Sequence, residues 1–205
     1  MQNIRPLHIT LADINQKMIE AWQLFFGTEM NVTVLQADIT TLKTDAIVSP
    51  ANSFGFMDGG IDYAISVRLG WDLQIKLQQV IQDLPEGELL VGNALIVETG
   101  DQTIPFLISA PTMRVPTNFN IATSINAYLA MKATLVKVKS NSAITKVAIP
   151  GFCTGTGGMN KKIAAKQMFM AYKEIVSGHK NNFKEFGEAQ KYQFELNPEG
   201  MIWRH

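Results

Sequence analysis

The 205-residue chain has one cysteine, Cys153, only three histidines, and no excess of either charge, with 18 Lys and Arg against 18 Asp and Glu. A single cysteine cannot close an intramolecular disulfide. His8, His179 and His205 are scattered. They supply neither a metal-ligand cluster of readable spacing nor a partner that would make Cys153 half of a Cys–His nucleophile pair. No metal and no cofactor is therefore implied. A formal net charge of zero argues against sequence-independent nucleic-acid binding, which needs a basic excess to neutralise phosphates. No stretch approaches the roughly 18 consecutive apolar residues of a membrane span, and "MQNIRPLHITLAD" has no apolar run of signal-peptide length after Arg5. A reducing, cytoplasmic compartment and no membrane partner are the expectation.

What is present is a hydrophobic content of 46%, enough to bury a core, arranged as β-rich runs alternating with helical periods. "LHITLA" (Leu7–Ala12), "VTVLQ" (Val32–Gln36), "DAIVS" (Asp45–Ser49) and "TKVAIP" (Thr145–Pro150) read as strands, and "NALIVE" with "IPFLISA" as a hairpin around "TGDQ". Helical spacing places Met18, Ile19, Trp22, Phe25 and Phe26 on one face of a first helix. Further helices are predicted over Ile61–Leu69, Trp71–Leu84, Ile121–Val138 and Met159–Ser177. Trp22, Trp71, Met168 and Met170 are expected in the core. The alternation predicts a three-layer α/β/α domain over residues 1–177, with a mixed sheet of six or seven strands. Residues 178–205 form a C-terminal extension that carries Phe183, Phe186, Tyr192, Phe194 and Trp203. So many aromatics predict that it packs on the domain.

Two connections carry more backbone freedom than a turn requires. In "VSPANSFGFMDGGIDYAI", Asn52, Gly55, Gly59, Gly60 and Asp62 fall together between a strand and a helix. In "GFCTGTGG", Gly151, Gly155, Gly157 and Gly158 precede another helix. Both follow strands, so an open α/β sheet would bring them to the crevice at the carboxyl ends of its strands. Exposed amides at a helix N-terminus suit a phosphate or diphosphate. Neither loop is a Walker motif, and the chain lacks the Gly-x-Gly-x-x-Gly of a dinucleotide fold after its first strand.

Taken together, "ADIT", "DAIVSPANS", "GGID" and "IPGFCTGTGGM" resemble, in kind and order, the signatures of the macro domain family, the ADP-ribose-binding module. The resemblance spans about Val32 to Ser177. It implies ADP-ribose or an ADP-ribosylated substrate as the partner. Asp38 would accept the adenine amino group and Ile39 would meet adenine through its amide. Asn52 would bond the distal ribose. Gly59, Gly60 and Ile61 would lie beside that ribose. Gly151, Phe152, Cys153, Thr154, Gly155, Thr156, Gly157 and Gly158 would wrap the diphosphate. Asp62 stands ten residues after Asn52, as in the branch that hydrolyses mono-ADP-ribosyl linkages, and with Asn52 it is the candidate catalytic pair.

Each assignment has a plain structural alternative: Asp38 starting a turn, Asn52 mimicking backbone in one, Asp62 favoured by a helix dipole. Asp58, in the same loop, either supports the turn or holds water near the ribose. The chain also departs from the family. Ser49 and Pro50 replace an Asn and an Ala, a change expected to alter the pocket entrance. Ser66 stands where that branch often has a His, Gly157 where it often has an aromatic, and no Lys precedes "GG". Two functions stay open, hydrolysis of ADP-ribose linked to protein, nucleic acid or a small ester or phosphate, and non-catalytic reading of an ADP-ribose-type nucleotide.

Overall fold

The computed structural model describes residues 7–116 and 121–200. Six strands, β1 (His8–Asp13), β2 (Val32–Gln36), β3 (Ala46–Ser49), β4 (Leu95–Glu98), β5 (Phe106–Ser109) and β6 (Lys146–Ile149), form one sheet in the order β2-β1-β6-β3-β5-β4. All neighbours are parallel except the edge strand β4, which runs antiparallel to β5. The hairpin read around "TGDQ" is this edge.

Helices α1 (Gln16–Phe26), α2 (Gly60–Leu69), α3 (Asp72–Gln82), α4 (Asn126–Ser140), α5 (Lys161–Ile175) and α6 (Phe186–Leu196) complete the fold. Because strand side chains alternate between faces, the central strands feed two cores. Ala46, Val48, Ile108, Val147 and Ile149 join α1, α4 and α5 on one face. Ile47, Leu107 and Ala148 join Ile65, Leu73, Leu77 and Ile81 of α2 and α3 on the other. The result is a three-layer α/β/α sandwich. No helix among the described residues is long and apolar enough to cross a membrane.

Some sequence expectations need correction. Two helices begin later than their apolar periods. The first turn predicted at Ile121 is a turn in which the Ser124 amide bonds Ile121 O, and α4 starts at Asn126. α5 starts at Lys161 because the Asn160 side chain caps it by accepting from the Lys162 and Ile163 amides. Trp22 and Met168 are fully buried, the indole N–H of Trp22 pointing at the Met168 sulfur at 3.4 Å. Trp71 is instead 45% exposed, since it precedes α3 and packs edge-on against Tyr63. Met170 is only half-buried against the core.

Part of the extension is a helix. α6 lies along α5 and ends in Leu196, which is buried in the larger core. The Tyr192 hydroxyl bonds Glu174, which also accepts from Tyr128, Lys132 and Asn181. Phe186 and Phe194 stay exposed, and Trp203 and His205 lie outside the described residues.

Candidate functional site

A cleft of about 660 Å³ opens at the carboxyl ends of the parallel strands, lined by residues that follow β1, β2, β3, β5 and β6. That volume lies within the roughly 300–1,000 Å³ range of small-molecule pockets, and the position is where parallel α/β sheets bind ligands. The "PANSFGFMDGG" loop makes one wall. Its first residues continue beside the segment after β5: Thr112 N bonds Ala51 O, Thr112 Oγ1 bonds Pro50 O at 3.1 Å, and Ser53 N bonds Arg114 O. Gly55 has φ of +70°, and a Cβ there would meet Leu77 and Ile81 side chains at 3.0–3.3 Å, so this glycine serves the fold. Met57 plugs the smaller core. Gly60 also has positive φ, but a Cβ on it or on Gly59 would meet nothing within 4 Å. These two keep the cleft wall low.

Asp62 sits in the first turn of α2, lines the cleft and is 8% exposed. Burial lifts its carboxyl to about 6, the Ser49 hydroxyl bond holds it back, and the Asp58 carboxylate adds to the rise. The helix N-terminus favours the anion, yet desolvation outweighs it. Ser49 is fully buried at the end of β3 and donates a short hydrogen bond to Asp62 Oδ1. It is thus a support beneath the acid, and the expectation that it alters the entrance is corrected. The hydroxyl of Ser66, also buried, donates to Met57 O at 3.0 Å and pins the loop.

Asn52 lines the cleft, but most of its bonding capacity holds its own loop. Oδ1 accepts the Phe54 and Phe56 amides at 3.1 and 3.2 Å, and Nδ2 donates to Phe56 O at 2.8 Å. One Nδ2 hydrogen remains for a ligand. Asp38 similarly starts a 3₁₀ turn (Ile39–Thr41), its Oδ1 accepting from Thr40 N at 2.9 Å and Thr40 Oγ1 at 2.7 Å. Its Oδ2 bonds no other described residue. Asp38, Ile39 and Ile61 all line the cleft.

The Gly151–Gly158 loop forms the opposite wall. Gly158 N bonds Gly155 O and Met159 N bonds Cys153 O, closing the loop on itself. The amides of Thr154, Gly155, Thr156 and Gly157 donate to no other described residue, and those four residues line the cleft with Gly151 and Cys153. Phe152 and Gly158 do not: the Phe152 ring is fully buried in the core, and Gly158, with φ of +66°, turns the chain away.

A Cβ at Gly151 would strike Asp13 Oδ2 and Thr154 Oγ1 at 2.8 Å, and one at Gly157 would strike Cys153 O and the Ile121 side chain at 2.7–2.8 Å. At Gly155 it would meet nothing. Cys153 is held at φ of +63°, uncommon for a side-chain-bearing residue. Burial pushes its thiol up to about 12, against an opposing bond from Thr112, which keeps it protonated and unreactive at neutral pH.

Among the cleft residues that sequence reasoning missed, three carry charge or mark the rim. Asp13 ends β1, accepts from Asn15 N at 2.9 Å and faces the glycine loop. Ile14, 75% exposed, lies at the rim. Lys161 opens α5 and donates from Nζ to Thr154 O at 3.2 Å, placing a cation beside the loop amides. Only Lys161 had a signal, the "NKK" that follows "TGTGGM".

The macro domain family model matches residues 48–168, more than half the chain and both cleft loops. The chain belongs to the macro domain family. An uncharacterised protein of Aquifex aeolicus is 34% identical to this macro domain over 139 residues, 68% of the chain and 79% of that protein. A protein of Cronobacter sakazakii named O-acetyl-ADP-ribose deacetylase is 31% identical over 150 residues, covering 72% of the chain and 80% of that protein. Among solved structures, a mutant macrodomain of Oceanobacillus iheyensis with ADPR superposes with a TM-score of 0.61 at 21% identity, covering 78% of the chain and 88% of that chain. That likeness concerns the fold. In this macro domain Ser49 lies under the acid, Ser66 holds the loop, and Ile121 packs on Gly157.

Proposed function

We propose that this macro domain binds ADP-ribose or a derivative and hydrolyses an ADP-ribosyl linkage, with Asp62 as the group that takes a proton from the attacking water. The observation that carries the reading is Asp62 itself, a carboxylate 8% exposed in the cleft wall and raised to about 6. A base with that value is largely ionised at neutral pH yet basic enough to accept a proton, the compromise general-base catalysis requires. The low wall at Gly59 and Gly60 leaves room for a sugar beside it. Asp62 would also stabilise positive charge developing on the ribose.

In the bound state the loop amides of Thr154 to Gly157, with Lys161, would hold the diphosphate. The remaining Nδ2 hydrogen of Asn52 would orient the distal ribose, Asp38 Oδ2 would accept the adenine amino group, and the Ile39 amide would meet the ring. The name of the Cronobacter relative, an O-acetyl-ADP-ribose deacetylase, supports an ester as the first substrate to assay. A non-catalytic reader is the second reading, favoured by Asn52, whose bonds serve its own loop, and by Ser66, whose hydroxyl is turned inward.

Turnover of O-acetyl-ADP-ribose and of mono-ADP-ribosylated protein by wild type and Asp62→Ala, with ADP-ribose affinity by calorimetry, separates the two. A hydrolase loses turnover by on the order of 10²–10⁴ with little change in affinity, and the wild-type rate climbs with pH through about 6. Binding without turnover by the wild type on both substrates would refute the role given to Asp62 and leave a reader. An absence of ADP-ribose binding would refute both readings.

A further inference from the structure

The family match ends at residue 168, inside α5, yet the chain beyond it reaches back to the cleft. Asn197, just after α6, is fully buried, and its Nδ2 donates to Ala122 O at 2.8 Å and Ser124 O at 2.9 Å. Both carbonyls belong to the turn that precedes α4. Gln167 of α5, also fully buried, ties the same pieces together. Its Nε2 donates to Ser124 O at 2.9 Å and Leu196 O at 3.3 Å, and its Oε1 accepts the Tyr128 amide at 3.2 Å. Gly200 lies against Thr123, where a Cβ would collide with the carbonyl oxygen.

The clamped turn in turn supports the cleft. Ile121 at its start packs on Gly157 of the glycine loop, so closely that no Cβ fits between them. Asn126 at its end donates to Thr112 O at 2.7 Å, in the wall opposite the loop.

We infer that the C-terminal segment is a positioning element of the cleft, with Asn197 holding the turn that sets Ile121 against Gly157 and so fixes the loop whose amides face the ligand. Losing the Asn197 donor pair removes one hydrogen bond from each of the Ala122 and Ser124 carbonyls and leaves Gln167 alone to hold Ser124 O against the C-terminal segment. The turn would then shift, and the loop, which rests on Ile121 at Gly157, would loosen there. Its consequence for affinity rests on the ADP-ribose reading, but its consequence for the loop does not.

The test uses Asn197→Asp, which keeps the shape and removes the donor, and Gly200→Ala, which leaves Asn197 in place and pushes the segment off Thr123. Tyr172→Phe, which removes the hydroxyl that bonds Glu29 and Asn31 on the same face, is the control for a general loss of stability. Cys153, the chain's one cysteine and 4% exposed, reports on the loop without any ligand. Alkylation of Cys153 under native conditions is expected to quicken about tenfold in Asn197→Asp and Gly200→Ala relative to the control, the size of one to two lost hydrogen bonds. ADP-ribose affinity is expected to fall by about the same factor. Alkylation at the control's rate in both variants overturns the inference whether or not ADP-ribose binds. A wild type that does not bind ADP-ribose, with the alkylation difference present, retains the inference and refutes the ligand.

Discussion

Asp62 is the residue at which stability and chemistry pull in opposite directions. Below about pH 4 the folded and unfolded chains both carry its proton, and burial costs nothing. Between 3.8 and about 6 the unfolded chain gives up the proton while the folded chain keeps it. Above about 6 the folded chain holds a charge in a site that disfavours it, so the full cost applies. Asp62→Asn, which still accepts the Ser49 hydroxyl, should therefore stabilise the protein by about 3 kcal/mol at pH 8 and by much less at pH 4. Urea unfolding at the two pH values measures this. A difference of the same size at both would show that the gain has nothing to do with ionisation.

Among elements, the Gly151–Gly158 loop shows that glycines in one motif have different reasons to be there. At Gly155 a side chain would point into open space, whereas at Gly157 it would meet Cys153 O and Ile121 at under 3 Å. Gly155→Val should melt within a few degrees of wild type while weakening ADP-ribose binding by tenfold or more, since its branches would stand where the proposed diphosphate position meets the amides. Gly157→Val should lose stability by about 1–3 kcal/mol as the overpacked contact is forced apart. Differential scanning calorimetry paired with binding titrations decides both. Equal melting of the two variants would mean that the loop tolerates either crowding, and tight ADP-ribose binding by Gly155→Val would move the diphosphate off this loop.

Across the whole molecule, the two cores share the same strands. On β5 the side chain of Leu107 faces the α2–α3 layer and that of Ile108 the α1–α4–α5 layer. Neither layer can open without exposing the sheet face it covers, so unfolding should be cooperative. Leu107→Ala, at a fully buried site, should cost about 2–5 kcal/mol and lower a single calorimetric transition. A second transition in that variant would show that the layers hold independently.

The sequence by itself determined the layers and the two loops of this protein, because period-2 and period-3.6 apolar patterns record which face each element must bury, and glycine and asparagine record where the backbone must turn. Strands such as Val32–Gln36 were legible to the residue. Helix starts were not, because caps outweigh apolar periodicity: Asn160 moved α5 to Lys161, and Trp71 kept a core residue's type in an exposed place. The candidate site was legible as a set of motifs and not as a set of bonds. Nothing local in "DAIVSPANS" says that Ser49 lies beneath an acid 13 positions away, or that Asn52 holds its own loop. Nor does "ELNPEG" reveal that Asn197 reaches carbonyls more than 70 positions earlier. Those facts belong to the tertiary structure, because a hydrogen bond between distant residues and the desolvation that raises a carboxyl depend on what packs around a side chain.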